Sequence, residues 1–378
     1  MERDMVFFKI IRKSTLLGFI ALVFFIIACS FYLLTSPEKE LEAAALDNSE
    51  DWQTIISGLF KTRNECVLSG DFDRLKTVFL TGENTGRWAY ENETARSDYL
   101  QSWSAKQGAS FLNIQSNIKI LRCKAVGRGW AFYVLSSEEY SYAYTDDVKT
   151  VNMFRVGTYH SLDLIPAVDG TWVISREWYD DPMAKTFLSY DGIEDITAHI
   201  TNSLPKDISG LDGKRVLAVE YADAYCGAAS DGQNGYSYNK KYANYNPLGG
   251  NCANFVSQAL FEGGGFKKNS TWNYKDGKGS WAWIKAVGLK DYLIYSAKGS
   301  IIAKGKYENV YKHANELLPG DMVVYAKKGK ITHVSIVTGL DSKGCPVVNS
   351  HNIDRYRVPW DIGWNMSGIT FYLIRVHY

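Results

Sequence analysis

The sequence predicts an α+β protein of two folded units behind an apolar N-terminal helix, and three observations carry that prediction. Residues 15–34 hold no charge, residues 51–181 read as a helix followed by strands, and a second helix beginning at Cys252 leads into an antiparallel meander. At 378 residues the chain exceeds one ordinary domain. A hydrophobic fraction of 46% with 14% aromatic residues supplies cores for both units and excludes global disorder. The 42 basic and 41 acidic residues balance to +1, so no field of one sign selects nucleic acid or an acidic partner. The 25 Tyr and 11 Trp suit grooves that grip sugars or peptides as well as aromatic cores.

TLLGFIALVFFIIACSFYLL, from Thr15 to Leu34, spans a roughly 30 Å hydrocarbon layer at about 1.5 Å per residue. Lys9, Arg12 and Lys13 precede it, whereas only Lys39 stands among Glu38, Glu40, Glu42 and Asp47 behind it. That asymmetry predicts a cytoplasmic N-terminus with the chain beyond Leu34 outside. Two other readings export the rest as well. Ile26-Ile27-Ala28-Cys29 resembles a lipoprotein signal, although Phe31 to Leu34 continue the apolar run, and a cleaved signal peptide normally has a shorter apolar part. The expected organisation is a cytoplasmic stub and anchor helix over 1–36, an acidic stalk over 37–50, an α+β cone-like unit over 51–185, a linker over 186–213 and a second α+β unit over 214–378.

Setting Cys29 aside leaves Cys66, Cys123, Cys226, Cys252 and Cys345, an odd number, so at least one thiol is free. No C-x-x-C spacing or histidine cluster points to a metal. Bridges between Cys66 and Cys123, or between Cys226 and Cys345, suit an oxidising compartment, but spacing does not establish them.

In the first unit, Trp52, Ile55, Ile56, Leu59, Phe60, Cys66 and Val67 recur at the spacing of a helix with one buried face. SNIKILRC, WAFYVLSS, TVNMFRVGTYHSLDLI and TWVISREWY follow as strands, rich in β-branched and aromatic residues, and AVDG between the last two predicts a hairpin. Helices followed by a curved antiparallel sheet resemble the nuclear transport factor two-like superfamily, and that resemblance covers about a third of the chain. Some members are enzymes with polar residues inside the cone, a part that His160 and Asp180 suit here as well as they suit structural roles. The expected role of this unit is spacer or binding module.

In the second unit, Phe255, Val256, Ala259 and Leu260 recur at helical spacing behind GGNC, and Gly263-Gly264-Gly265 ends the pattern. Asn251 is expected to cap this helix, placing Cys252 in its first turn, where free backbone N–H groups favour a thiolate and can hold an oxyanion. LLPGDMVVY, ITHVSIVTG and PVVNSH form the meander. His333 opens the second strand. Depending on the turn, either His351 or Asn349 lies opposite it as an orienting partner. Nucleophile, base and orienter together are the arrangement of cysteine hydrolases. Tyr245 and Asn246 suit either an oxyanion donor or loop building.

GGNCANFVSQAL, PGDMVVY, THVSIVTG and VVNSHNIDRYRVPW, in this order from about Arg215 to Tyr378, resemble the bacterial family described as Putative amidase domain, within the papain-like group that includes NlpC-type and CHAP cell-wall hydrolases. The resemblance implies a papain-like α+β domain without cofactor or metal, with Cys252 as nucleophile and His333 as base and acid. His351, or alternatively Asn349, is implied as the third residue, and Asn254 and Gln258 as packing and helix-start support. Asn251 departs from the acidic residue usual before the nucleophile. The expected activity is a membrane-anchored amidase or peptidase acting outside the cell on wall peptides, with no nucleic-acid partner. An inactive wall-binding scaffold and a thioester acyltransferase are the rival expectations.

Overall fold

The computed structural model describes residues 49–183, 190, 192–230, 237–248 and 250–378. The expected anchor helix with Cys29 and all but the end of the acidic stalk lie outside the described residues. Among the described residues no helix is long and apolar enough to cross a membrane.

The first unit opens with α1 (Ser49–Ser69), α2 (Phe72–Lys76) and α3 (Asn84–Gln107). On α1 the expected apolar stripe is buried at Trp52, Ile56, Phe60, Cys66 and Val67. The sequence reading missed α3, and its buried stripe shows why: Ala89, Glu93, Arg96, Leu100, Trp103 and Gln107 are spaced as a helix face but include two charges. Four antiparallel strands follow, β1 (Ala109–Val126), β2 (Gly129–Tyr144), β3 (Asp147–Pro166) and β4 (Trp172–Trp178), the last two joined by the expected hairpin.

The charges on α3 have partners. Arg63 of α1 reaches Glu138 at 2.7 Å and Glu177 at 2.9 Å, while Arg96 reaches Glu138 at 2.6 Å and Glu93 at 3.0 Å. His160 joins through Glu177 at 2.7 Å. The whole network is buried between the helices and the sheet.

After α4 (Ile193–Thr201) and α5 (Gly213–Ala224), the second unit contains α6 (Cys252–Gln258), continued by a π turn over Ala259–Gly263. A short hairpin, β5 (Tyr274–Lys275) and β6 (Lys278–Gly279), precedes α7 (Trp281–Ile284), α8 (Ala286–Tyr295), β7 (Gly299–Gly305) and α9 (Tyr307–Ala314). The expected meander is β8 (Met322–Lys327), β9 (Lys330–Leu340) and β10 (Pro346–Ser350), completed by β11 (Asp354–Pro359) and β12 (Ile369–Val376).

Both units belong to one ten-stranded antiparallel sheet ordered β1-β2-β3-β11-β10-β9-β8-β12-β7, with β4 on β3. The join is β3 with β11, where Gly157 faces Asp354 and Val156 faces Arg355. One aromatic core runs across it, from Tyr99, Trp103 and Tyr140 to Tyr325, Trp360 and Phe371. Buried Lys106 of α3 crosses to Asp361 and to the Tyr307 hydroxyl at 2.9 Å. The five described cysteines are buried free thiols, so neither the Cys66–Cys123 nor the Cys226–Cys345 bridge is formed.

At the join the segment 228–230 lies on the sheet, held by Arg155 Nε to Ala229 O at 3.1 Å and by Ser137 Oγ to Ser230 O at 2.7 Å. A Cβ at Gly157 would fall 2.2 Å from the Ala228 carbonyl carbon. Backbone cannot yield there as a flexible side chain does, so Gly157→Ala is expected to cost about 1–3 kcal/mol in urea unfolding. An unchanged midpoint would show that the two segments part freely.

Candidate active site

Every residue of α6 from Cys252 to Gln258 is buried, because the helix runs beneath the sheet against Val324, Val334 and Ile336 and against Trp272 and Trp283. The first helical bond runs from Phe255 N to Asn251 O at 2.9 Å. Asn251 does not cap the helix with its side chain, contrary to the expectation. Its Oδ1 instead accepts from Asn254 Nδ2 at 2.7 Å and from Tyr245 N at 3.2 Å, and its Nδ2 donates to His351 Nδ1 at 2.9 Å. The side chain ties loops together, which leaves the first-turn amides to the thiol.

The Cys252 thiol is 4% exposed. Burial pushes it up; the N–H groups of Val334, Ala253 and Cys252 itself, with the more distant charge of Lys285, pull the other way. The backbone amides at the helix start and at Val334 therefore favour a negative charge on the sulfur, against the larger effect of burial. Asn254 donates to Ala243 O at 3.0 Å and accepts from Trp283 Nε1 at 2.9 Å, and Gln258 accepts from Tyr221 OH at 2.8 Å. The Tyr245 hydroxyl accepts from Gly279 N at 3.0 Å, which assigns it to loop building.

His333 lies opposite Tyr325 on β9, and the residue after it, Val334, supplies one of the N–H groups at the thiol. The two candidates are thus attached to neighbouring residues of β9, but alternation turns Val334 toward the Cys252 helix and the His333 ring toward Tyr325 and Trp364 on the other face. Among the described residues, however, no hydrogen bond joins the thiol to the ring. The imidazole packs 5.3 Å from Trp364 and 5.6 Å from Tyr325, ring centre to ring centre, and its buried Nε2 has no hydrogen-bond partner among the described residues. Burial, and then the nearby Arg355 charge, push its pKa down to about 3. At rest both groups are neutral.

Residues 212–374 match the family described as Putative amidase domain. A relative, the uncharacterized protein YhbB of Bacillus subtilis (strain 168), is 30% identical over 172 residues, covering 43% of this chain and 48% of the relative. The chain thus spans about half the length of the curated relative it matches. The family match suggests amidase-type hydrolase activity for residues 212–374.

Neither orienting partner expected from the meander reaches His333. An irregularity at Thr338 shifts the register, pairing Val347 with Gly339, Val348 with Val337 and Asn349 with Ile336, and β10 ends at Ser350. Asn349 accepts from Thr338 Oγ1 at 2.8 Å and Arg357 N at 2.7 Å, and donates to Ala222 O at 3.1 Å and Asp223 Oδ1 at 2.9 Å. Its amide is fully used in tying β9, β10 and β11 to α5. His351 stacks on Phe255 with centroids 4.1 Å apart and donates from Nε2 to Tyr225 O at 2.7 Å, the tautomer that lets Nδ1 accept from Asn251. Burial, the largest influence, pushes its pKa down. This histidine positions Asn251, and through it the helix start.

The groups that do surround His333 are Tyr325, Trp364 and Arg355; Tyr325 and Arg355 fall within the stretches PGDMVVY and VVNSHNIDRYRVPW, but nothing in those stretches marks them as neighbours of the histidine. Trp364 comes from a loop without periodicity, and Arg355 is buried although nothing in its sequence neighbourhood marks a core. In the first unit, Thr158 Oγ1 and Glu177 engage both nitrogens of His160 inside the ionic network, while Asp180 is exposed. Among the described residues no group of three or more metal-ligating side chains is placed to hold a metal ion.

Proposed function

We propose that the amidase region is a cysteine-nucleophile hydrolase. The observation that carries this reading is a buried thiol on the first residue of a helix that packs against β9. His333 takes the Cys252 proton, the thiolate attacks the amide carbonyl, and the backbone donors hold the oxyanion. The imidazolium gives its proton to the leaving amine, which departs and leaves a thioester. Water then loses a proton to His333 and attacks the thioester; the acyl group leaves as a carboxylic acid and the imidazolium returns its proton to the sulfur, restoring the thiol. Catalytic contacts in resting enzymes are often long and tighten on substrate, so the neutral resting pair fits this sequence.

In this reading the segment 15–34 anchors the chain, the unit at 51–185 faces outward with the amidase region, and the substrate is an amide in a cell-wall peptide. The chemistry requires no cofactor. The missing thiol–imidazole bond favours one alternative, an inactive wall-binding scaffold.

Labelling separates the two. Iodoacetamide should alkylate Cys252 slowly at neutral pH, with a midpoint above the ordinary thiol value of about 8.5, because burial raises the thiol. A peptidyl chloromethyl ketone should label Cys252 selectively at pH 7, and His333→Ala should slow that step by about a hundredfold or more. Equal labelling with and without His333 would sink the catalytic pair. The histidine also carries a stability signature: its folded pKa lies near 3, below its ordinary 6.5, so its contribution is present above pH 6.5 and is lost as pH falls toward 3. His333→Gln should flatten that part of the stability curve.

A further inference from the structure

The His333 ring lies on the face of β9 that carries Tyr325 and the aromatic core shared by both units. Over it there lies the loop 360–366. Trp364 of that loop stacks on Tyr325 with centroids 4.2 Å apart and stands 5.3 Å from the imidazole. The indole is half-buried whereas His333 is 6% exposed, so Trp364 is the layer between the histidine and solvent.

Closing the loop over the ring has a cost. His333 Nε2 and Trp364 Nε1 are both buried, and neither has a hydrogen-bond partner among the described residues. Buried polar atoms without partners oppose closure, and lifting the loop returns both to water. Bonds from the first unit act against that opening. Tyr99, Trp103 and Lys106 are spaced i, i+4, i+7 and so share one face of α3. The Tyr99 hydroxyl donates to Asn365 Oδ1 at 2.5 Å and accepts from Gly363 N at 2.6 Å, bracketing Trp364 from both sides. Trp103 Nε1 donates to Asp361 Oδ1 at 3.2 Å, and Lys106 Nζ donates to Asp361 Oδ2, which also accepts from Asn365 Nδ2 at 3.0 Å.

We infer that Tyr99, Trp103 and Lys106 of the first unit are positioning residues for His333, acting through the loop 360–366, so that α3 holds Trp364 shut over the imidazole and sets how often the histidine is exposed. The unit at 51–185 thereby takes part in the candidate site of the other unit, beyond the spacer or binding module expected of it. Thr332 is the extra residue of a bulge, unpaired between Ile331 opposite Ala326 and His333 opposite Tyr325. With the loop lifted, a bulge moved by one residue turns the imidazole to the Cys252 face. This last step rests on the hydrolase reading; the hold on the loop does not.

The test is carbethoxylation of the full chain in detergent micelles by diethyl pyrocarbonate, with each modified histidine located by mass mapping. His333 should react at least about a hundredfold more slowly than the exposed His313 and His377, as suits a group reached only through local opening. Tyr99→Phe and Trp103→Phe should each speed His333 by about tenfold, the factor that one lost buried hydrogen bond carries. His160 and His351, buried elsewhere, should keep the parent rate, which separates an effect on the loop from a general loosening of the fold. Trp364→Ala should speed His333 further, and on that background Tyr99→Phe should add nothing because it acts through the loop. A parent His333 as reactive as His313, an unchanged rate in both α3 variants, equal acceleration at His160 and His351, or a full added effect of Tyr99→Phe without Trp364 would each overturn the inference. An inert Cys252 alongside the expected rates would remove the hydrolase reading and leave the hold on the loop standing, whereas an active amidase with an open His333 would do the reverse.

Discussion

Under the proposed mechanism, replacing Cys252 by alanine is expected to abolish release of amines from purified cell wall, by at least about a thousandfold, while the protein stays folded. The size follows from losing the nucleophile, without which the backbone donors can only polarise a carbonyl that nothing attacks. The fold survives because no side chain bonds the thiol among the described residues and it sits at a helix start whose geometry is set by Asn251, His351 and Asn352. Thermal unfolding of the variant is therefore expected within about 1 kcal/mol of the parent, as suits the loss of one small buried group. Activity within tenfold of the parent would remove Cys252 from the chemistry, and a large stability loss would make it a packing residue.

Arg63→Leu is expected to destabilise the chain by about 3–5 kcal/mol in urea unfolding, the cost of leaving buried carboxylates without their cation. Arg63 is fully buried and contacts Glu138 and Glu177 directly, with Glu93 at 3.6 Å. Burial alone would raise Glu138; Arg96 and Arg63 outweigh it and hold the carboxyl down at about 2. The sign is that of a depressed carboxylate: the stabilisation is present above its ordinary 4.5 and is lost as pH falls toward 2. Arg63→Leu should shrink that acid-dependent loss, and adding Glu177→Leu should recover part of the stability because it removes one stranded charge. An Arg63→Leu protein as stable as the parent would mean that water reaches the network.

The elements that the sequence declared are those whose buried face is apolar. The stripe from Trp52 to Val67 and the alternating strands follow the rule that apolar positions at one period mark a core, and they sit where that rule puts them. Helix α3 obeys the same period, but Glu93, Arg96 and Lys106 occupy its inner face; Glu93 and Arg96 pair within one turn, while their further partners lie on α1 and β2 and that of Lys106 in the loop at Asp361. No local window contains those further partners. Similarly, the meander was legible as three strands, but its register was not, since a single irregularity at Thr338 moves every later side chain relative to β9.

At the site, the sequence by itself determined that a cysteine stands at the first turn of a helix and that a histidine opens the middle strand of a meander, because both depend on spacing within a few residues. Only the tertiary structure decided that Val334 presents its N–H to that thiol, that Asn349 and His351 are bound to α5, Tyr225 and Asn251 instead of His333, and that one sheet joins both units through Gly157. Those outcomes depend on burial and on hydrogen bonds between segments about a hundred residues or more apart. A buried donor must find its acceptor wherever packing brings one, and the chain order does not contain that location.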